Sequence, residues 1–398
     1  MSRVDDLIER YAPAGVAYKT IGEVATCIAG ATPAKGVPEY WDSGTIPWMS
    51  SGEVNKETIF STEQKITQAG YESCSTRMVP ANVVVIALAG QGKTRGLVAR
   101  TRIALCTNQS LAAIIPGDEL IADFLWHYLR TQYHRLREIS SGEGTRGGLN
   151  LQMIRAYCVP VPPLEVQREI VRVLDAFTEL EAELEAELEA RKQQYAHYRD
   201  KLLLQGGHRW ASLGDIGRVA MCKRIFKAET RPHGHVPFFK IGTFGGEADA
   251  FISRELFDDY SGRYSFPRVG DVLISAAGTI GRAIPYDGRD AYFQDSNIVW
   301  LEHDESTVLN AYLRHWYSVI TWPVTDGGTI KRLYNDSILR ARIAVPSLDE
   351  QRRIVAILDQ FDTLVNDLSS GLPAEIEARR QQYAYYRDRL LTFKEAVA

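Results

Sequence analysis

The chain repeats itself, and this duplication constrains its fold more than any other feature of the sequence. Residues 164–177 match residues 348–361 at eight of fourteen positions, with an offset of 184 residues. Residues 191–200 match 379–388 at eight of ten positions, with an offset of 188. Weaker matches precede each block in the same order, such as Tyr128-Leu-Arg with Tyr312-Leu-Arg. This order indicates two copies of one unit, each a divergent body followed by a well-matched segment.

Both matched segments carry an apolar stripe with the periodicity of an amphipathic helix. The candidate packing residues of these stripes are Ile170, Leu174, Phe177 and Leu184 in the first copy and Ile354, Leu358 and Phe361 in the second. Three tandem Glu-Leu-Glu-Ala units occupy residues 179–190. An unbroken helix from residue 164 to 203 would be about 60 Å long. In the second copy, Ser-Ser-Gly-Leu-Pro at 369–373 predicts a bend or break.

A long helix with one apolar stripe must bury that stripe, either against its duplicate or against the neighbouring body. We favour an antiparallel pair of the two helices, which would relate the bodies by a pseudo-twofold axis. The bodies combine short β-rich runs, Gly-rich turns and amphipathic helices near 120–133 and 307–320. The predicted fold class is therefore α/β, with two mixed α/β domains separated by two long antiparallel, coiled-coil-like helices.

The repeat also predicts four segments along the chain. The first body occupies residues 1–158 and is followed by a central helical spacer at 159–205. The second body occupies residues 206–343 and is followed by a C-terminal helical spacer at 344–398.

The distribution of charge is more informative than its total. A net charge of −4 and a pI near 6.1 argue weakly against a DNA-binding protein. However, residues 179–190 alone hold six glutamates, whereas residues 73–117 hold five basic residues and no acidic one. Residues 218–240 hold six basic residues and one acidic residue, and the Gly-rich loops at 143–148 and 327–332 both carry cations. Such loops can approach a phosphate backbone closely and direct Arg or Lys at base edges.

These clusters supply the candidate DNA-binding residues, which are Lys93, Arg95, Arg100, Arg102, Arg146, Lys223, Arg224, Lys227, Arg282, Lys331 and Arg332. No metal site is expected, and the five scattered cysteines indicate free thiols in a reducing cytoplasm. The longest apolar runs are far too short to span a membrane.

One stretch suggests a nucleotide hydrolase instead. Residues 87–94, Ala-Leu-Ala-Gly-Gln-Gly-Lys-Thr, fit a relaxed phosphate-loop pattern. That loop requires a helix to begin at Lys93-Thr94, but the glycine at 96 and the β-branched residues after it predict a turn and a strand. Other catalytic motifs are missing from the sequence: Val-Pro-Pro at 161–163, for example, lacks the following aromatic residue of a methyltransferase loop.

The doubled pattern resembles that of the specificity subunits of type I restriction–modification systems. Its signature, Pro-x-Leu-x-x-Gln-x-x-Ile-Val-x-x-Leu-Asp-x-Phe, occurs at 162–177 and again at 346–361. Gln-Gln-Tyr-x-x-Tyr-Arg-Asp follows each copy, at 193–200 and 381–388. The Glu-Leu-Glu-Ala units look like the tetrapeptide repeats in the central helix of one branch of this family. The resemblance covers essentially the whole chain.

The resemblance implies a non-catalytic subunit in which each body reads one half of a bipartite, asymmetric target in double-stranded DNA. The helices would then dock two methyltransferase subunits, and restriction subunits would join them. S-adenosylmethionine, ATP and Mg²⁺ would bind to those partners, so this chain is expected to carry no cofactor of its own. A phosphate-loop hydrolase, a standalone DNA methyltransferase and an orphan DNA-binding protein without partner subunits are the alternatives.

Overall fold

The computed structural model describes residues 3–90, 94–140, 148–205, 208–322, 332–367 and 369–396. The chain divides into two compact units. Unit 1 contains Met1–Leu184 together with Ile376–Ala398, and unit 2 contains Glu185–Glu375.

Unit 1 is a mixed α/β body. Its strands are β1 (Ala17–Thr20), β2 (Ala25–Ala29), β3 (Ile46–Met49), β4 (Thr58–Ile59), β5 (Gln64–Ile66), β6 (Val84–Ala87), β7 (Val98–Thr101), β8 (Cys106–Thr107), β9 (Leu111–Pro116) and β10 (Cys158–Val161). They form a sheet in the order β2-β9-β6-β7-β4, a second sheet β5-β3-β8 and the pair β1-β10. Its helices are α1 (Arg3–Tyr11), α2 (Ile21–Val24), α3 (Gln68–Glu72), α4 (Ala122–Thr131), α5 (Tyr133–Glu138) and α6 (Leu151–Ala156), followed by the first half of α7 (Leu164–Leu204).

Unit 2 repeats this architecture. Its strands are β11 (Arg209–Ser212), β12 (Arg218–Ala220), β13 (Val236–Phe239), β14 (Phe251–Ile252), β15 (Val272–Ser275), β16 (Ala283–Pro285), β17 (Tyr292–Phe293), β18 (Ile298–Glu302) and β19 (Arg342–Val345). They form the sheets β12-β18-β15-β16 and β14-β13-β17 and the pair β11-β19. Its helices are α8 (Leu213–Ile216), α9 (Arg254–Arg263), α10 (Asn310–Tyr317), α11 (Asn335–Arg340) and α12 (Leu348–Asn366); α13 (Leu372–Leu390) begins in unit 2 and ends in unit 1.

The duplication predicted from the sequence is confirmed in the strand pairing. The antiparallel pair β1-β10 places Thr20 opposite Cys158, and the pair β11-β19 places Ser212 opposite Arg342. In both units the central strand, β6 or β15, lies between the same two antiparallel neighbours. The two bodies therefore share one topology although their sequences have diverged.

The long helix is also confirmed. Helix α7 is continuous over 41 residues because its Glu-Leu-Glu-Ala units contain only good helix formers. In the second copy, α12 ends at Asn366 and α13 begins at Leu372, which places the break where Gly371 and Pro373 interrupt the pattern. Ser347 caps α12, since its hydroxyl accepts a hydrogen bond from the Glu350 N–H.

The apolar stripes pack in both of the ways that the sequence allows. Ile170 and Leu174 are fully buried in the core that α4 and the central sheet of unit 1 provide. Phe177 instead stacks on Tyr386 of α13, with 5.5 Å between the ring centroids. One turn later, Glu181 pairs with Arg380 at 2.6 Å, so within unit 1 the two helices run antiparallel. Leu184 is half-buried at the end of unit 1.

Unit 2 repeats this arrangement. Ile354 and Leu358 of α12 are buried in the core beneath α10. Phe361 stacks on Tyr198 in the second half of α7, with 5.7 Å between the ring centroids. Each buried aliphatic side chain contributes about 1.5–3 kcal/mol, which anchors the helix to its body.

The phosphate-loop alternative does not fit the chain after β6. Strand β6 pairs antiparallel with β7, and residues 94–96 form a turn that leads directly into β7. A phosphate-binding loop would need a helix that begins at Thr94, and the described residues there form none. The hairpin predicted from the glycine at 96 is therefore confirmed.

Candidate nucleic-acid interface

In unit 2, separate parts of the chain meet at the carboxyl end of β15. The turn 294–297 joins β17 to β18, and Ala276 N–H donates to the Asn297 carbonyl at 2.7 Å. The chain returns at Leu333, whose N–H donates to the Ala276 carbonyl at 2.8 Å. The segment after β13 joins them because Ile241 N–H donates to Gln294 Oε1 at 3.0 Å. We call this surface the cationic edge, defined by Lys223, Arg224, Lys227, residues 294–297 and Arg332.

Two arginines flank the turn at the centre of the cationic edge. Arg224 Nε donates to Asp295 Oδ2 at 2.8 Å, and Arg332 Nη2 donates to Asn297 Oδ1 at 2.8 Å. The side chain of Arg224 remains 62% exposed, and Arg332 is also exposed. Because a guanidinium carries five N–H donors, each arginine can bind this turn and an external acceptor at once.

The loop after β12 supplies the other cations of this edge. Lys223 Nζ lies 5.1 Å from the Tyr264 ring centroid, and Lys227 is exposed. Between them, Phe226 is 60% exposed, and its N–H donates to Glu229 Oε2 at 2.7 Å. The loop thus presents an aromatic ring among cations. Arg282 contributes differently, because its Nη1 donates to the Phe244 carbonyl at 2.6 Å and so supports the segment after β13.

Unit 1 builds the corresponding surface from uncharged side chains and one lysine. Leu88 N–H donates to the Ser110 carbonyl at 2.8 Å, and Leu149 N–H donates to the Leu88 carbonyl at 2.9 Å, which repeats the backbone bonds of unit 2. We call this surface the polar edge, defined by Thr32, Lys35, Asn108 and Gln109. The Thr32 hydroxyl donates to Gln109 Oε1, and both Gln109 and Lys35 are exposed.

Gly30 allows the loop after β2 to approach this edge. Ala31 N–H donates to the Thr107 carbonyl at 3.0 Å. A Cβ on Gly30 would lie 1.9 Å from that same carbonyl oxygen, so only glycine fits. The close approach holds Thr32 beside the turn that carries Asn108 and Gln109.

Several cations predicted in unit 1 lie inside the body instead. Arg100 is buried, its Nη1 binds Asp123 at 3.1 Å and Asp175 at 2.8 Å, and its guanidinium covers the Trp126 ring at 4.2 Å. Arg102 also pairs with Asp123, at 2.9 Å. Their geometry gives both arginines a structural role within unit 1.

Arg95 is buried as well, and its Nε and Nη1 have no hydrogen-bond partner among the described residues. It lies within the turn 94–96 between β6 and β7, and its side chain is buried rather than directed into solvent. Lys93, Arg146 and Lys331 lie outside the described residues.

The polar residues Asn108 and Gln109 were not among the residues predicted from the sequence, because those were chosen as clusters of cations. The signal for them was a polar turn between two apolar strands.

Comparison with known proteins identifies the family. A family model described as the type I restriction modification DNA specificity domain matches residues 13–190 and, again, residues 209–378. The chain belongs to this family. The two matches correspond to the two copies in the sequence, each a body with its following helix.

Relatives agree with this assignment. A Haemophilus influenzae protein named as a type I restriction enzyme specificity subunit is 48% identical over 290 residues, which cover 70% of this chain and 74% of the relative. The EcoR124I/EcoR124II specificity subunit of Escherichia coli is 33% identical over 294 residues, 67% of this chain and 71% of that protein. The crystal structure of the S subunit of a type I restriction–modification system from M. genitalium shares the fold, with a TM-score of 0.57, 14% identity and coverage of 94% and 96%.

The chain is thus a type I specificity subunit, a non-catalytic DNA-recognition subunit with one target-recognition domain in each unit. In the described residues, no three His, Cys, Asp or Glu side chains group as metal ligands would. Among the same residues, no helix is both long and apolar enough to cross a bilayer.

A buried glutamine in each signature of this specificity subunit binds the helix that carries the signature, α7 or α12, to its body. Gln167 Oε1 accepts from Ile121 N–H at 2.8 Å, while its Nε2 donates to the carbonyls of Glu119 and Pro162 at 2.8 and 2.7 Å. Gln351 repeats all three bonds at 2.9 Å, accepting from Leu309 and donating to the carbonyls of Thr307 and Pro346. Sequence reasoning used this glutamine only as part of a motif.

These bonds also show which residues of α4 and α10 correspond in the two copies. They place Ile121 and Leu309 at the same position, which is an offset of 188 residues. Phe124 therefore corresponds to Tyr312, and the sequence match of Tyr128 with Tyr312 is wrong by one helical turn. The difference arises because unit 1 has four more residues than unit 2 between this helix and the signature glutamine.

A buried histidine and the aspartate of the signature make a second tie. His127 Nε2 lies 3.0 Å from Asp175 Oδ1, and His315 Nε2 lies 2.8 Å from Asp359 Oδ1. Burial lowers the pKa of both histidines, against the opposing effect of the aspartates. Both rings are therefore neutral near pH 7, with Nε2–H donating to the carboxylate.

Asp175 remains charged within this contact. Burial raises its pKa, but hydrogen bonds from His127 and Arg100, together with the charge of Arg100, hold it below its ordinary value. In unit 2, Arg314 takes the place of Arg100, and its Nη2 binds Asp359 at 2.6 Å.

Proposed function

We propose that the polar edge of unit 1 and the cationic edge of unit 2 each read one half of a bipartite, asymmetric DNA target. The observation that carries this proposal is that the two edges share their backbone hydrogen bonds and differ in their side chains. A common frame with variable side chains suits two domains that bind the same duplex and read different bases.

The chemistry of each edge favours a different base. Arg224 and Arg332 present guanidinium groups, which pair with the O6 and N7 acceptors of guanine in the major groove. Asn108 and Gln109 present amide groups, which pair with N6 and N7 of adenine. The remaining cations, Lys223, Lys227 and Lys35, suit phosphate contacts that orient each unit on the duplex.

Three predicted cations that lie outside the described residues, Lys93, Arg146 and Lys331, remain in the proposed contact set on the sequence alone, because each stands in a Gly-rich stretch. Arg282 remains as a support for the cationic edge. Arg100 and Arg102 leave the set because their guanidinium groups bind carboxylates within unit 1. Arg95 leaves it because its donors are buried.

The duplication also supports proposals about assembly. Two copies of the spacer signature suit two methyltransferase subunits, with restriction subunits joining that complex. S-adenosylmethionine, ATP and Mg²⁺ would then bind to those partners. We place the complex in the cytoplasm, which agrees with five free cysteines. We also place the chain in the family branch that has tetrapeptide repeats in its central helix.

We also propose the four segments 1–158, 159–205, 206–343 and 344–398 as functional parts. This division treats the spacer helices as segments of their own, whereas the compact units assign each half of α7 to the body that it contacts.

Methylome sequencing tests the proposal. The chain is co-expressed with its methyltransferase partner, carrying Arg224→Ala and Arg332→Ala. One half-site should then accept several bases at one or two positions, while the other half-site is unchanged. The matched control is Arg289→Ala, because Arg289 is 90% exposed in the loop between β16 and β17, at the opposite end of the same sheet. Equal degeneracy in both half-sites, or the same change in the control, would contradict the proposal.

A further inference from the structure

Two side chains bind each spacer helix, α7 or α12, to a short helix of its body, α4 or α10, and both units use the same residue types. They are Gln167 and Asp175 in unit 1, and Gln351 and Asp359 in unit 2. We propose that each pair is a joint that fixes the spacer helix on its body and so sets the gap between half-sites that the complex accepts. The joint rests on the proposed function, since only a chain that reads two half-sites has a gap to set.

The spacing of the two ties prevents both rotation and sliding. Eight residues separate the glutamine from the aspartate, which is about 12 Å along the helix and about 80° around it. A single tie would leave the helix free to swing about that point. Two ties that are separated both along the helix axis and around it prevent the helix from rotating about its axis and from sliding along it.

The partners of these ties lie at the beginning of a short helix and more than one turn further along it. Gln167 binds the N–H of Ile121, where α4 begins, and Asp175 binds His127, nearly two turns further along α4. In unit 2 the corresponding partners are Leu309 and His315 at α10. Two helices joined at two points act as one rigid element.

The glutamine tie cannot adapt by changing a rotamer. Its three partners are backbone atoms, and both glutamine side chains are fully buried. Buried backbone groups must remain paired, so movement of the helix would leave several of them without a partner. The aliphatic residues between the two ties, Ile170 and Leu174 in unit 1, are packed in the core as well.

DNA geometry makes the gap sensitive to such a joint. One additional base pair moves a half-site by about 3.4 Å and rotates it by about 35°. A joint that loosens by half of that amount lets the two bodies engage half-sites at the neighbouring gap. The half-sites themselves would not change, because the edges lie at the strand ends rather than on the spacer helix.

Unit 2 offers the better experiment, because Asp359 is 47% exposed and its loss leaves the core intact. The chain carries Asp359→Ala, Gln351→Ala or both, in complex with its methyltransferase partner, and the methylome is sequenced. The matched control is Asp362→Ala, which removes a carboxylate that pairs with the same Arg314, at 3.2 Å, one turn further along α12.

We expect the unsubstituted chain and the control to methylate sites of a single gap. Asp359→Ala should raise methylation at gaps one base pair shorter or longer at least tenfold, and the double variant should raise it further. Both half-sites should be unchanged. Asp359→Asn keeps an acceptor for His315 and should give a smaller increase; it serves as the decisive variant if the alanine variants do not fold.

The proposed joint would be overturned if the folded double variant kept a single gap. If the double variant does not fold, the same result with Asp359→Asn would overturn it. Loss of bases in a half-site with no change in the gap would overturn it too, because the residues would then act on an edge. A methylome of the unsubstituted chain without bipartite sites would overturn the proposed function and the joint together. A bipartite methylome with an unchanged gap in the variants would overturn the joint alone.

Discussion

The two units carry different side chains on edges that share the same backbone hydrogen bonds. The loop after β12 carries four cations, Lys223, Arg224, Lys227 and Arg231, whereas the corresponding residues 30–45 of unit 1 carry one, Lys35. Each loop nevertheless lies beside the corresponding turn and strand ends of its own unit. The sheet and its turns therefore form a frame that tolerates different side chains at its edge, so each unit can acquire its own target without refolding.

The contacts of the signature aspartate show the opposite pattern, because the two units make the same contacts with residues from different elements. Both units pair a buried histidine with the signature aspartate. The supporting arginine comes from β7 in unit 1, as Arg100, and from α10 in unit 2, as Arg314. The two units thus make the same contact with arginines at positions that do not correspond in the sequence.

Deletion of one Glu-Leu-Glu-Ala unit from α7 should give the largest effect, because it removes the original target altogether. Four residues shorten the helix by about 6 Å, and a base step is about 3.4 Å. The preferred gap should shorten by one or two base pairs, and both half-sites should be retained. Methylome sequencing of the deletion strain measures this. An unaltered gap would show that the helix does not act as a ruler.

Loss of the signature aspartate should affect stability more in unit 1 than in unit 2. Each carboxylate contacts a buried histidine and an arginine, but that of Asp175 is 24% exposed and that of Asp359 is 47% exposed. We expect Asp175→Ala to cost about 3 kcal/mol, the lower end for a broken buried pair. Asp359→Ala should cost about 1 kcal/mol, the upper end for exposed pairs. Denaturant unfolding measured with hydrogen exchange in each unit checks this; equal costs would contradict the difference in burial.

The lysines of the two edges should differ in their effect on salt dependence. Each phosphate contact contributes a slope of about −0.9 to the dependence of log affinity on log salt. Lys223→Ala combined with Lys227→Ala should therefore reduce the slope by about 2, and Lys35→Ala by about 1. Titration of the assembled complex with a cognate duplex at several salt concentrations gives the slopes. A slope that is unchanged in the double variant would place these lysines away from the DNA.

A change of pH should give the smallest effect, and it should have the same sign in both units. Because the pKa of His127 is lowered by burial, the unfolded chain takes up this proton first as the pH falls. The stability from the neutral ring is complete above the ordinary histidine pKa of about 6.5 and is lost below it. Asp175, whose pKa is also lowered, adds a further loss below about pH 4.

His127→Gln should flatten this dependence in unit 1 only, and His315→Gln in unit 2 only. Hydrogen exchange of each unit between pH 7 and pH 5 separates the two effects. Stability that rises as the pH falls would show that the rings are charged in the folded chain.

Much of the architecture was predictable because duplicated apolar patterns record it. The stripe through Ile170 and Leu174 predicted helix α7, and the glycine at 96 predicted the hairpin that excludes a phosphate-binding loop. The packing of the stripe was less predictable, since the same periodicity suits a partner helix and a body. Only the structure shows Leu174 in the core and Phe177 against Tyr386.

The site was less predictable than the fold because charge alone does not show where a side chain points. Arg100 and Arg224 look equivalent in the sequence, but Arg100 lies in the buried strand β7 and pairs with Asp175, whereas Arg224 lies in an exposed loop. Gln167 and Gln351 could have been found from their place in both signatures, five residues after a proline whose carbonyl needs a donor. Asn108 and Gln109 carry no charge, so clusters of basic residues in the sequence could not indicate them.

The proposal that the two edges read different half-sites is tested most directly by the methylomes of two matched double variants in the same complex. One carries Arg224→Ala and Arg332→Ala at the cationic edge, and the other carries Asn108→Ala and Gln109→Ala at the polar edge. Each variant should relax a different half-site and leave the other half-site and the gap unchanged. Relaxation of the same half-site by both variants, or of both half-sites by either, would contradict it.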